Sequence, residues 1–445
     1  MADPAPPRTD RRPECEAATM STASDVAREI DRVLRQLDGH GLYRNNAFRV
    51  TGLSADASAR QIRRHQEELR NPYHVPPASD RDVPLPPSDD ADAQRAAFEA
   101  LRDPLARLVH ELFWLRPEAA NPDSGYLRDQ AVFAHCRALE ATASDGSVAD
   151  ETAWTDWEVS TNLWSLAFAA EDTWEWVRRR AAEIDDPRLS VAVLRALRER
   201  LPEHVIGVSV GLAVRAAAVA PSDTELHMDA VEEAGFEARQ VREVARAAVE
   251  PFTGRVRAAC ETAQGSDPAA GLSAAQELLD GTAAALTTIT AVLGAADDLA
   301  GACRDEVAHA ANNRVIAYVN EAMETASGPG SVRARPALEL LRRARAEAVS
   351  ESVTTLLDKN IADLEQLAAY VAAGGRGRFD GRGAQRGEPG CVVLLVVFLA
   401  GAVGAFWLLG SVLGVGPIWA LAGAVFGGFM AVGLVTQVIE FFQDL

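Results

Sequence analysis

Eight histidines and five cysteines are the residues of this 445-residue chain best suited to metal or nucleophilic chemistry, and their spacing supplies neither. Cys15, Cys136, Cys260, Cys303 and Cys391 form no CxxC or other metal-ligand spacing. The histidines form no HExxH or HxxxH pair, so a helical zinc site has no support. His135 and Cys136 are adjacent, which sets their side chains about 100° apart on a helix, whereas a Cys-His dyad must face. Asp89, Asp90 and Asp92 read as the acidic start of a helix, not as a cation site. Gly375-Arg376-Gly377 has no strand before it and no soluble helix after it, so it is no phosphate loop. These patterns imply no metal and no cofactor, and the expected role is not enzymatic. What remains is a basic stretch, Arg60, Arg63, Arg64 and Arg70, running into Tyr73-His74-Val75-Pro76.

The elements that position these residues are helical. Hydrophobic residues make up 48% of the chain and aromatics only 6%, with Ala, Leu, Val, Arg and Glu dominant, so the expected fold class is all-α. A net charge of −20 repels a phosphate backbone, and no nucleic-acid partner is expected. Scattered cysteines in odd number suit a reducing compartment. Residues 1–22 contain no apolar stretch and read as a disordered leader, not a signal peptide.

Val26, Ile30, Val33, Leu34 and Leu37 share one helical face behind a Ser24 cap, and Gly39 and Gly41 end that helix. Ser58 and Gln61 form a capping box for a helix through Ile62 and Leu69, which Pro72 stops. The stretch NAFRVTGLSADASARQIRRHQEEL resembles the first two helices of a J-domain, the module by which DnaJ-type co-chaperones engage Hsp70. FEALRDPLARLVHELFWL (98–115) is similar to that family's third helix, its Asp-Pro break at Asp103-Pro104, and a fourth helix. Counted on without a gap, the family's His-Pro-Asp trigger falls on His74, Val75 and Pro76: the histidine stays, and the proline and aspartate are lost. The resemblance implies a J-like head over 23–116 that lacks its trigger, with Arg60, Arg63, Arg64 and Arg70 as what is left of a partner-binding face. The block Phe48 to Trp114 is also similar to bacterial J-like proteins whose head precedes tetratricopeptide-like helices.

Residues 117–235 form a tryptophan-rich region. Trp154, Trp157, Thr161, Trp164 and Phe168 repeat at three and four, and Trp174 and Trp176 follow a break near Glu171-Asp172. Such spacing places aromatics in a core rather than a ligand groove. PRLSVAVLRALRERL and HVIGVSVGLAVRAAAVA read as two further helices, the second buried but too short to span a membrane. Residues 236–373 read as an antiparallel bundle or short coiled coil.

The end of the chain reads differently. Residues 374–390 form a Gly/Arg-rich linker, and residues 391–439 hold two uncharged runs, 391–413 and 418–439. Each exceeds the roughly 20 residues that cross a bilayer. The expectation is a two-helix transmembrane hairpin with a short cytoplasmic tail, 440–445. Arg376, Arg378, Arg382 and Arg386 mark the cytoplasmic side of an inner or plasma membrane, which leaves both termini in the cytoplasm. Ala400 and Gly404, with Gly423 and Gly427, give small-residue spacing for close helix packing in the hairpin or between copies. The role these features point to is a membrane-anchored scaffold or adaptor that binds protein partners. An atypical membrane co-chaperone with weak Hsp70 contact is the first alternative, and an oligomerising, membrane-perturbing effector the second.

Overall fold

The computed structural model describes residues 24–69, 83–116, 126–325 and 332–372. Among these the fold is all-helical, with a single isolated bridge, Thr142 to Val148, closing a loop. The chain divides into two compact units, Met1–Glu365 and Gln366–Leu445. Of the second, only the end of the last described helix lies among the described residues. The leader, the linker, both apolar runs and the tail lie outside them. No helix among the described residues is long and apolar enough to cross a membrane.

The first unit begins with α1 (24–34), which continues as a 3-10 turn, Arg35–Leu37. Ile30, Val33, Leu34 and Leu37 are buried on the face their spacing predicts. One helical turn, α2 (Gly41–Arg44), leads to α3 (Ala47–Thr51), α4 (Ala59–Leu69), α5 (Ala91–Ala100) and α6 (Pro104–Leu112). Local chemistry sets each start. The Asn46 side chain accepts from the Phe48 N–H at 3.0 Å to cap α3. At α4, Ser58 N–H donates to Gln61 Oε1 at 2.7 Å while Gln61 N–H donates to Ser58 Oγ at 3.3 Å, the reciprocal capping box the sequence predicts. Asp90 accepts from the Asp92 N–H at 2.9 Å, so the Asp89–Asp92 cluster is a helix start. Asp103 caps α6, with Pro104 at the first helical position, where a missing N–H costs nothing.

Next come α7 (Tyr126–Glu140), α8 (Glu151–Ala169), α9 (Glu171–Ile184), α10 (Val191–Ala216) and α11 (Pro221–Glu232). Trp157, Trp164, Phe168, Trp174 and Trp176 are all buried, and the α8–α9 break falls at Ala170, next to its predicted place. One hydrophobic cluster runs from Ile30 in α1 to Leu212 in α10, so residues on both sides of 116 share one core.

The two helices read between 187 and 220 are one continuous 26-residue helix, α10, with Pro202 inside it. A proline there removes one backbone hydrogen bond and crowds the preceding turn. The cost is offset because Leu201, Val205, Ile206, Val208, Val210 and Leu212 are at most 1% exposed. The helix packs chiefly on α8, α11 and α12.

The remaining helices are α12 (Ala238–Gln264), α13 (Gly271–Leu293), α14 (Asp298–Thr325), α15 (Ala334–Glu347) and α16 (Glu351–Ala372). Neighbours α12, α13, α14 and α15 pack on one another. Gly294, at φ 84°, separates α13 from α14. Asp305 on α14 accepts from the Val349 N–H at 2.7 Å, which fixes the turn into α16. Asn360 donates to Asn312 at 2.7 Å.

The loop between α7 and α8 fits against α10 with no clearance. Gly146 has φ +88°, and a Cβ there would lie 2.3 Å from the Leu212 carbonyl oxygen. Gly146→Ala combines a disfavoured dihedral with a backbone clash. A loss of about 2 kcal/mol or more in urea-unfolding stability is expected, and a change below about 0.5 kcal/mol would contradict this packing.

Candidate functional site

Three places merit comparison: the arginine face of α4, the buried polar groups between the head helices and the tryptophan layer, and an open groove between α9 and α10. On α4, Ile62 faces the core and His65 Nε2 donates to the Thr51 carbonyl at 2.8 Å. That orientation turns Arg60, Arg63 and Arg64 outward together. Arg64 pairs with Glu68 at 3.2 Å, which reduces the positive field of this face. Arg70, His74, Val75 and Pro76 lie outside the described residues, as do Arg376, Arg378, Arg382, Arg386, Ala400, Gly404, Gly423 and Gly427.

The second place was not legible as a unit in the sequence. Glu111 on α6 is 0% exposed. Its Oε1 accepts from Arg107 Nε at 2.9 Å and Arg180 Nη2 at 3.0 Å, and its Oε2 accepts from Arg180 Nε at 2.8 Å. Arg107 also reaches the Ala57 carbonyl at 2.8 Å, before α4. Arg128 on α7 donates to the Glu111 carbonyl at 2.8 Å and lies over the Trp176 ring, 4.7 Å from its centre. Burial pushes the Glu111 carboxyl above its ordinary range, and the hydrogen bonds and charges of Arg180 and Arg107 pull it back. The work of this cluster is to hold α4, α6, α7 and α9 in one arrangement.

The histidines serve a related purpose. Trp164 Nε1 donates to His135 Nδ1 at 3.2 Å, and Tyr43 Oη lies 3.0 Å from the same nitrogen. An indole N–H only donates, so Nδ1 accepts and the ring proton sits on Nε2. Burial lowers this ring's pKa to about 3. His227 Nε2 donates to the Gly146 carbonyl at 2.9 Å between the rings of Trp154 and Trp157, and burial lowers its pKa to about 4. His110 Nδ1 accepts from the Ala47 N–H at 3.0 Å, and its pKa is also lowered to about 4 by burial. His204 Nε2 donates to the Leu37 carbonyl at 2.8 Å. Each ring ties together segments far apart in the chain, which is why the histidines look scattered in sequence. Burial pushes the Cys136 thiol up to about 12, so it is a poor nucleophile beside a histidine whose Nδ1 is already engaged. Among the described residues no three His, Cys, Asp or Glu side chains converge as a metal site.

The third place is a groove of about 650 Å³ between α9 and the start of α10. Trp174, Val177, Ala181 and Leu189 form its buried floor. Its rim carries Arg178, Arg195 and Arg198. Both Arg178 and Arg198 pair with Glu171, at 2.8 and 3.0 Å. The sequence reading missed this groove because its walls come from two helices folded back across a tight turn. The available signal was the run of arginines on both.

No protein-family profile, curated protein or solved structure matches the chain.

Two outcomes are expected from the buried groups. Glu111→Ala leaves Arg107 and Arg180 buried without their carboxylate, and a loss of about 3–5 kcal/mol in chemical unfolding follows. Strict additivity of Glu111→Ala and Arg180→Ala in a double-mutant cycle would show that the pair is uncoupled. The second outcome is a pH dependence. His110, His135 and His227 are neutral when folded, and their folded pKa values lie below that of an unfolded histidine, about 6.5. Between about pH 6.5 and 4 the unfolded chain therefore binds more protons, and stability rises with pH. The contribution is complete above that window and is lost as pH falls through it, by about 1.4 kcal/mol per pH unit for each ring. Urea titrations from pH 7.5 to 5.5, where carboxylates contribute little, check this. A flat profile would rule out the buried neutral rings.

Proposed function

We propose that the protein is a membrane-anchored helical adaptor that binds protein partners and whose J-like head is a built-in structural part, not a free co-chaperone module. The observation that carries this reading is the buried Glu111 cluster, which joins α6 to α9 through Arg180. Helices α3 to α6 follow the order that the J-like resemblance implies, and α6 is tied by an ion pair and a common core into the tryptophan-rich layer. A co-chaperone head presents its second helix and trigger to Hsp70. Here α4 offers three exposed arginines, one of them paired with Glu68, and the sequence has Val75 and Pro76 where the trigger needs proline and aspartate. An aspartate supplies a fixed negative charge that neither residue provides. Membrane anchorage rests on the uncharged runs 391–413 and 418–439 and the arginines that precede them.

The test is affinity capture of the full-length protein in mild detergent beside a copy truncated after Ala373, read by mass spectrometry together with Hsp70 ATP turnover. Other proteins are expected on the full-length bait, above all membrane proteins lost on truncation, with Hsp70 turnover unchanged by wild type or by His74→Gln. Hsp70 captured by both forms, with a turnover increase that His74→Gln abolishes, would replace the adaptor reading with the co-chaperone one.

A further inference from the structure

We propose that the groove between α9 and α10 is the docking site for an acidic amphipathic helix of a partner protein. The proposal draws on the adaptor reading only in taking the occupant to be a protein. Three features of the groove carry it. The first is shape. An opening of about 650 Å³ lies within the range of ligand sites, and its floor of Val177, Ala181 and Leu189 offers apolar contact. Val191 at the lip is 77% exposed, more than any other large apolar residue among the described residues. A helix that lays its apolar stripe here would cover it.

The second feature is charge. Along the rim stand three guanidiniums, those of Arg178, Arg195 and Arg198, and two of them, Arg178 and Arg198, share the one carboxylate of Glu171. Arg195 forms no ion pair among the described residues. At the other end Asp186 is occupied by Arg188 at 3.0 Å, which leaves Asp185 as the one carboxylate there. This positive wall belongs to a chain with a net charge of −20. The whole-molecule field repels an acidic partner, so any acidic partner that binds must be drawn by a local feature. The third feature is readiness. The Arg198 guanidinium already lies over Trp174, 5.2 Å from the ring centre, and Glu171 fixes its direction. An arginine held in this way loses little freedom on meeting a second carboxylate.

The occupant these features describe has apolar residues at i, i+3 or i+4, and i+7, with Glu or Asp on the flank facing α10. The probe is a fluorescein-labelled, end-capped Leu/Glu peptide of about 14 residues, roughly four turns. Its control is the isomer with Lys in place of every Glu. Both are titrated by anisotropy against the full-length protein in mild detergent. Partition into detergent is the same for every variant, so differences between variants isolate the groove. Arg195→Glu with Arg198→Glu reverses the rim. Arg239→Glu with Arg242→Glu makes the same charge change on exposed positions of α12, and circular dichroism melts verify that both fold. Saturable binding of the Leu/Glu peptide is expected, weakened about tenfold or more by the rim variant and less than about twofold by the control variant. Absence of saturable binding, equal losses in the two variants, or a Lys isomer bound with the same rim dependence would each overturn the proposal. None of these results depends on membrane anchorage or on Hsp70, so failure here is distinguishable from failure of the adaptor reading.

Discussion

A carboxylate with no access to water is the constraint on which this architecture turns. Glu111 accepts from two arginines, Arg107 on its own helix and Arg180 from α9. Burying one charge alone is prohibitive, and burying a carboxylate between two guanidiniums is tolerable only when most hydrogen-bonding groups are engaged. That condition propagates outward. Arg107 needs the Ala57 carbonyl, which fixes the approach to α4. Arg180 needs Glu183, one turn on along α9. The Glu111 carbonyl, at the end of α6, also accepts from Arg128, whose guanidinium rests on Trp176. Each requirement recruits another helix, and the group becomes a geometric specification for four of them. An apolar contact of the same size would allow sliding; this one does not.

The aromatic core follows the same logic with neutral groups. Only 6% of the chain is aromatic, yet Tyr43, Phe113, Trp157 and Trp164 gather around His135, His204 and His227, and Phe168 and Trp174 stack on from Trp164. Edge-to-face contacts and directional N–H donors set ring orientation more tightly than aliphatic packing does. Trp157 Nε1 donates to Thr142 Oγ1 at 3.0 Å while His40 donates to the Thr142 carbonyl at 2.6 Å, so one threonine anchors the start of the loop that Gly146 completes. The loop is thereby held on α10 and α11 at several points. Burial of these links is what keeps the imidazoles neutral.

Local chemistry was readable directly. The Ser58–Gln61 box, the Asp103-Pro104 start, the Asp90 cap and the tryptophan stripe each need only residues within about two turns, and the sequence shows them. Continuity of α10 through Pro202 was not readable. Proline argues for a break, and the burial that overrides it comes from α8, α11 and α12, distant in the chain. The ionic cluster adds positions 128 and 180 to the local 107–111 pair, a separation no periodicity encodes. The groove also required two helices to fold back on one another. The limit is general: a helix face is a local property, whereas a site built between faces depends on their packing.

The choice of cation ties these features together. The chain has 44 basic residues, and the sequence contains one lysine, Lys359. A lysine is a strongly hydrated point charge, and burying it costs more than burying the delocalised, weakly hydrated guanidinium. An arginine-based chain can therefore place positive charge inside, as at Arg107, Arg128 and Arg180, where each plane serves two or more partners. The same planarity governs the exposed sites. Arg198 stacks on Trp174 and bonds Glu171 at once, which holds it open to a further carboxylate. Positive charge inside such an acidic chain is thus divided by geometry. Buried guanidiniums shared among two or more partners build the fold, and those left with spare donors at a groove give an acidic chain a place to receive an acidic partner.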